Sequence, residues 1–124
     1  MRVTAEKRRP ESVLPLKPVD YLVLLVLAGQ DRHGYGIVQD IEERSQGQIR
    51  LEPGNLYRTI RRLMGQGLLK ETERRPAPES DDERRRYYCL TPFGLRVAEA
   101  ETARLKRLVR FAESHSLAEG KERA

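Results

Sequence analysis

Between Pro53 and Gly67 the apolar residues Leu56, Ile60, Leu63 and Met64 recur with a 3.6-residue period, which predicts an amphipathic helix with that stripe facing a core. The opposite side carries Gly54, Arg58, Arg61 and Arg62, and no acidic residue follows until Glu71. Pro53 suits the first turn, where its missing N–H would be unpaired anyway, and Gly65 and Gly67 suit the exit. Upstream, Pro18 opens a helix reaching about Ala28. Its Tyr21, Leu22, Leu24, Leu25 and Leu27 cover most of the circumference, so it is buried in its own domain or against a second subunit. A turn over 29–33 leads to a second helix from about Tyr35 to Ser45, with Ile37, Val38 and Ile41 inward and Asp40, Glu42, Glu43 and Arg44 outward.

After the arginine-bearing helix, residues 68–75 and 84–90 pattern as two strands. The polar stretch between them contains Pro76, Pro78, Ser80, Asp81 and Asp82, as in a hairpin with a long tip. Thr91 followed by Pro92 is an N-cap and first-turn signal for a long helix reaching about Ser116. Val97, Leu105, Leu108 and Ala112 form a narrow stripe on that helix, with Phe93 and Phe111 at its edge. A stripe of this kind on the last element of a small domain calls for a partner. Glu101 falls inside the stripe, which fits a polar pocket, a cross-subunit pair with an arginine, or a local solvent gap.

The expected organisation is a flexible, disordered basic arm over 1–13, a winged-helix domain over 14–91, a C-terminal dimerisation helix over 92–116 and a frayed tail over 117–124. The order helix, helix, helix, hairpin, helix is mainly α with a small β-hairpin. It reads as a winged helix-turn-helix with a C-terminal dimerisation helix.

Composition narrows the function. The chain of 124 residues suits one domain with one modest core. Its longest apolar run, Leu22–Ala28, falls far short of the roughly 20 residues of a membrane-spanning helix, and the first twelve residues lack the apolar core of a secretory signal. A cytoplasmic location is expected. The single cysteine, Cys89, cannot form an intrachain disulfide or a thiolate zinc site, and it reads as a packed small residue on a strand. The net charge of +5 is unevenly placed: 18–47 holds five acidic and two basic residues, whereas 48–90 holds ten basic and seven acidic. That asymmetry favours a polyanionic partner on one face.

Catalysis finds no constellation. His33 and His115 sit in separate elements without a paired nucleophile, and His33 beside Gly34 reads as a structural hydrogen-bonder. No metal and no cofactor is expected.

Four segments together carry a resemblance: His33-Gly34-Tyr35-Gly36-Ile37, Leu51-Glu52-Pro53-Gly54-Asn55-Leu56-Tyr57, Gly67-Leu68-Leu69, and Arg86-Tyr87-Tyr88-Cys89-Leu90-Thr91-Pro92-Phe93-Gly94. In this order they resemble the PadR family of bacterial transcriptional regulators over roughly residues 14–112. The resemblance implies a homodimer joined by the C-terminal helices across a two-fold axis, and repression of a nearby promoter. Tyr21, Leu25, Val97, Leu105, Leu108 and Ala112 are the expected interface residues. Some relatives bind flat aromatic drugs at the dimer interface with a tryptophan on the last helix. This chain has no Trp, so a small-molecule effector, if one acts, is of unknown identity.

The expected function is sequence-specific binding of a double-stranded, palindromic operator. Arg58 and Arg61, about one turn apart, can each grip a phosphate or the O6/N7 edge of guanine, and Asn55 can read an adenine edge. Gly54 lies in the same first turn. Arg62, off to one side, is expected to touch phosphate at most. The family's counterpart of Tyr57 approaches the DNA backbone; packing at the hairpin base is the alternative for Tyr57. Tyr35 can donate to a phosphate at the positive end of the second helix. At the hairpin base, Lys70, Arg74, Arg84 and Arg85 suit phosphate or minor-groove contact, with Arg86 free to pair with a carboxylate instead. The tip, with Glu79, Asp81, Asp82 and Glu83, would be repelled by DNA. The competing readings are a solvated cationic face, or a winged-helix docking module whose arginines bind an acidic partner protein.

Overall fold

The computed structural model describes residues 8–73 and 86–117. Helices α1 (Pro18–Gly29), α2 (Gly34–Arg44) and α3 (Pro53–Gly65) precede strands β2 (Leu69–Thr72) and β3 (Tyr87–Leu90). Helix α4 (Pro92–Glu113) follows. A two-residue strand, β1 (Arg32–His33), lies between α1 and α2, within the stretch expected to be a plain turn. It pairs antiparallel with β3 through Arg32 opposite Tyr88 and His33 opposite Tyr87. On its other edge β3 pairs antiparallel with β2, Leu69 opposite Leu90 and Glu71 opposite Tyr88, so the sheet order is β1-β3-β2.

One core joins the four helices to β2 and β3. Val23, Leu24 and Leu27 of α1 meet Ile37 and Ile41 of α2, and Leu56, Ile60 and Leu63 of α3. Leu68, Leu69 and Tyr88 join from the sheet side, and Phe93 and Val97 from α4. Each large side chain buried there contributes about 1.5–3 kcal/mol relative to exposure. Met64, placed on the inward stripe of α3 by periodicity alone, is 36% exposed. The stripe narrows at the last turn because α3 ends one residue later.

Local chemistry sets the element ends. α3 closes in a Schellman arrangement: Gly67 has φ +77°, its N–H donates to Met64 O at 2.9 Å, and the Leu68 N–H donates to Leu63 O at 3.0 Å. A left-handed residue is needed there, and glycine adopts it without a Cβ penalty. α4 opens on Thr91, whose Oγ1 accepts from the Gly94 N–H at 2.9 Å and donates to Gly67 O at 2.6 Å. The cap thus also ties the end of the α3 turn to the start of α4.

Of the flexible arm expected over 1–13, residues 1–7 lie outside the described residues. Pro10–Val13 form a 3-10 turn packed on α4. Arg8 donates to Gln66 O at 2.8 Å, and its guanidinium lies 4.4 Å from the centre of the Phe93 ring. A cation at the carboxyl end of α3, stacked on an aromatic face, gives this polar segment a fixed place.

Glu101 is resolved as an internal pair and not a cross-subunit one. It is 1% exposed and receives Arg104 of its own helix through Nε at 2.5 Å and a second nitrogen at 3.0 Å. It also accepts the Leu16 N–H at 3.1 Å. Arg104 hydrogen bonding holds its carboxyl below the usual glutamate range; burial opposes this and the Leu16 N–H assists it. Val97, expected at the subunit interface, is fully buried among its own chain's core residues and is unavailable to a partner. Tyr21 is half-buried, with its hydroxyl 2.6 Å from Thr102 Oγ1. Leu25 and Leu108 are 39% and 51% exposed, and Leu105 and Ala112 are partly covered.

Candidate nucleic-acid interface

The polar side of α3 stands clear of the rest of the chain. Gly54, Asn55, Tyr57, Arg58 and Arg61 are all exposed, backed on the inward side by Leu56, Ile60 and Leu63. Arg58 donates through a terminal nitrogen to the Asn55 side-chain oxygen one turn earlier, so these two polar groups present as a linked pair. Glu52, the N-cap of α3, makes no side-chain capping bond, and no acidic residue lies within the first turn itself.

Beside this face lies a cleft of about 670 Å³ bounded by the start of α2, by α3 and by the sheet. Tyr35, Tyr57, Arg61, Glu71, Arg86 and Tyr88 line it. His33 builds the α2 side: its Nδ1 accepts the Gly36 N–H at 3.1 Å as the N-cap, and its ring packs edge-on to Tyr87 at 5.3 Å. That capping role matches the structural reading of the histidine. Stacked parallel to it at 6.4 Å, Tyr35 is 62% exposed and projects from the first turn of α2. Tyr57 is 54% exposed, and its hydroxyl lies near Gly34, so it closes the cleft between α2 and α3.

The sheet divides the hairpin residues by strand alternation. Glu71 faces the cleft and receives Arg86 at 3.1 Å, the internal carboxylate pairing anticipated for that arginine. Burial pushes the Tyr88 phenol above its ordinary range, and Glu71 adds to the shift. Lys70 points to the other face of the sheet, where it lines a separate depression with Leu27, Cys89 and Leu95. The structure therefore does not bring Lys70 together with the arginines of α3. Arg74, Arg84, Arg85 and the acidic tip fall outside the described residues.

Arg62 departs most from the sequence reading. Its two terminal nitrogens donate to the two carboxylate oxygens of Asp20 in α1, at 2.8 and 2.9 Å. Asp20 hydrogen bonding raises the Arg62 pKa above its ordinary value, against the opposing effect of burial. Asp20 itself is 4% exposed. Sequence reasoning passed over it, although an acid in a helix otherwise apolar nearly all round was a signal that some cation must reach it.

Among the described residues no group of three His, Cys, Asp or Glu side chains is placed to hold a metal ion, and no helix is long and apolar enough to cross a membrane.

Comparison with known proteins places this geometry. The sequence model of the Transcriptional regulator PadR-like family matches residues 23–100. A similar protein is an uncharacterised 37.1 kDa protein in transposon Tn4556 of Streptomyces fradiae, 38% identical over 87 residues. That match covers 70% of this chain and only 23% of the relative's length. A transcriptional regulator from Clostridium thermocellum superposes with a TM-score of 0.63 at 22% identity, covering 79% of this chain and 89% of that one. A PadR family transcription regulator from Clostridium difficile also gives 0.63 at 22% identity, covering 80% and 98%. At that identity the two structures establish the winged-helix fold.

Proposed function

Because the chain belongs to the PadR-like family of transcriptional regulators, we propose that it is a cytoplasmic repressor that binds a palindromic DNA operator as a homodimer. It acts by binding DNA and not as an enzyme. The observation that carries the reading is the exposed Arg58–Arg61 face of α3, linked to Asn55 and flanked by Tyr35 and Tyr57. Such a face enters a major groove, with the guanidinium groups on guanine edges or phosphates and the tyrosine hydroxyls on the backbone.

Dimerisation is supported by the last turns of α4, where Leu108, Val109 and Phe111 are 51%, 49% and 67% exposed. Apolar side chains of that size in one short stretch favour burial against a second copy. Pairing two reading heads by two-fold symmetry sets inverted half-sites about one helical turn apart. Repression follows from occupancy of a promoter. An effector would act through α4, beside the groove of about 330 Å³ formed by Tyr21, Thr102, Leu105 and Val109.

Selection of bound duplexes from a random pool tests the proposal. Inverted repeats among the selected sequences are expected. Failure to enrich any duplex near physiological salt would overturn it, and would favour an acidic protein as the partner of the arginine face.

A further inference from the structure

Arg62 sits one turn beyond Arg58 on α3 and next to Arg61, at the margin of the face assigned to DNA. A free arginine there would add one phosphate contact on any duplex, whatever its sequence. It is not free. Asp20, almost wholly buried in the first turn of α1, accepts from both terminal nitrogens of the guanidinium, while the Arg62 side chain is still 42% exposed. Asp20 thus takes the end-on edge of the guanidinium, leaving only its Nε side edge to a further acceptor, and the pair carries no net charge, so its attraction for phosphate is weakened. The same stretch of chain is tied to α4, since the Tyr21 hydroxyl meets Thr102 and the Leu16 N–H meets Glu101.

Resting on the DNA-binding reading above, we infer that Asp20 is a positioning residue: it withdraws Arg62 from the phosphate backbone and makes it a strut between α1 and α3. The attraction of the reading face for DNA in general is thereby limited, and among the described residues of α3 Arg58 and Arg61 are left as the arginines without a carboxylate partner. α3 is also braced on a helix that is itself bonded to α4, so the angle of the reading helix follows the element expected to join the two subunits.

Salt titration of binding to a random-sequence 20-base-pair duplex tests this, using the full chain, D20N and the double variant D20N/R62Q, each checked for a cooperative thermal transition. The slope of log K against log salt reports the number of phosphates neutralised, with about 0.9 per contact. D20N, which releases the arginine, is expected to steepen the slope by about that amount. D20N/R62Q is expected to keep the wild-type slope, because the strut contributes no phosphate contact in the native chain. A double variant shallower than wild type by about 0.9 would place Arg62 on the phosphate and overturn the inference, as would an unchanged slope in D20N. Should D20N alone fail to fold, the double variant decides. A wild-type chain that binds no duplex at any salt would instead count against the regulator reading itself.

Discussion

The carbonyl oxygen of Leu68 lies 2.0 Å from where a Cβ on Gly94 would be, with the Leu68 carbonyl carbon at 2.9 Å. The obstacle is backbone and cannot rotate aside. It also accepts the Thr91 N–H at 3.1 Å, so moving it would break the junction between β2 and α4. Gly94→Ala is therefore expected to destabilise the fold by about 3 kcal/mol or more, at the upper end of overpacking costs. Urea denaturation would measure it; a loss below about 1 kcal/mol would mean the junction yields easily.

The Thr91 hydroxyl both caps α4 and donates to Gly67 O. Thr91→Val keeps the shape and removes both bonds, and is expected to cost about 1–2 kcal/mol. A lowered denaturation midpoint with an unchanged m-value is the expected result.

Acid stability should depend on Glu101. Its folded pKa is lowered, so the unfolded chain binds the proton more readily. The stabilisation it gives is present at neutral pH, above its ordinary value of 4.5, and is lost as pH falls through the lower folded value. In E101Q this contribution is absent, so stability should fall less steeply between neutral pH and acid than in the wild type. Thermal midpoints measured from pH 7 downward would show parallel profiles if the residue had no such role.

Dimerisation has a sharp control in the burial pattern. Leu108 is half-exposed, whereas Val97 is covered by its own chain. Leu108→Asp is expected to shift the chain to a monomer in sedimentation velocity with its thermal transition retained. Val97→Ala is expected to lower stability by about 1–3 kcal/mol, the usual range for a core truncation of that size, without a specific effect on association. A dimer persisting in Leu108→Asp would move the interface elsewhere.

Arg58→Ala and Arg61→Ala should each weaken operator binding by about 1–3 kcal/mol if the lost contact is to a base. Loss on operator and random duplex alike would assign the arginine to phosphate. Wild-type affinity in both variants would remove α3 as the reading helix.

Much of this architecture was legible in the chain because its signals are local. Pro53 with Leu56, Ile60 and Leu63 marks α3, and Thr91-Pro92 marks the start of α4 within a residue. β1 was not legible, since two residues display no period and Arg32 and His33 become a strand only by meeting Tyr88 and Tyr87. Asp20 was passed over because an acid in an apolar helix asks for a cation without saying which, and Arg62 lies 42 positions from it. Glu101 stood out by its place in the stripe, but the sequence did not choose between a partner on its own chain and one across an interface. Arg8 needed Gln66 and Phe93, which are far along the chain, before its polar segment had anywhere to lie. In the candidate interface the α3 residues follow from helical spacing. Lys70 was misplaced because charge alone does not say which face of a strand a residue occupies.

β3 occupies the middle of the sheet, bonded to β1 on one side and to β2 on the other. The strand that returns after the long connection is thus clamped from both flanks by segments that precede that connection. Both registers rest on pairings that lie wholly outside residues 74–85, so a change in the length of that stretch of sequence need not disturb either of them.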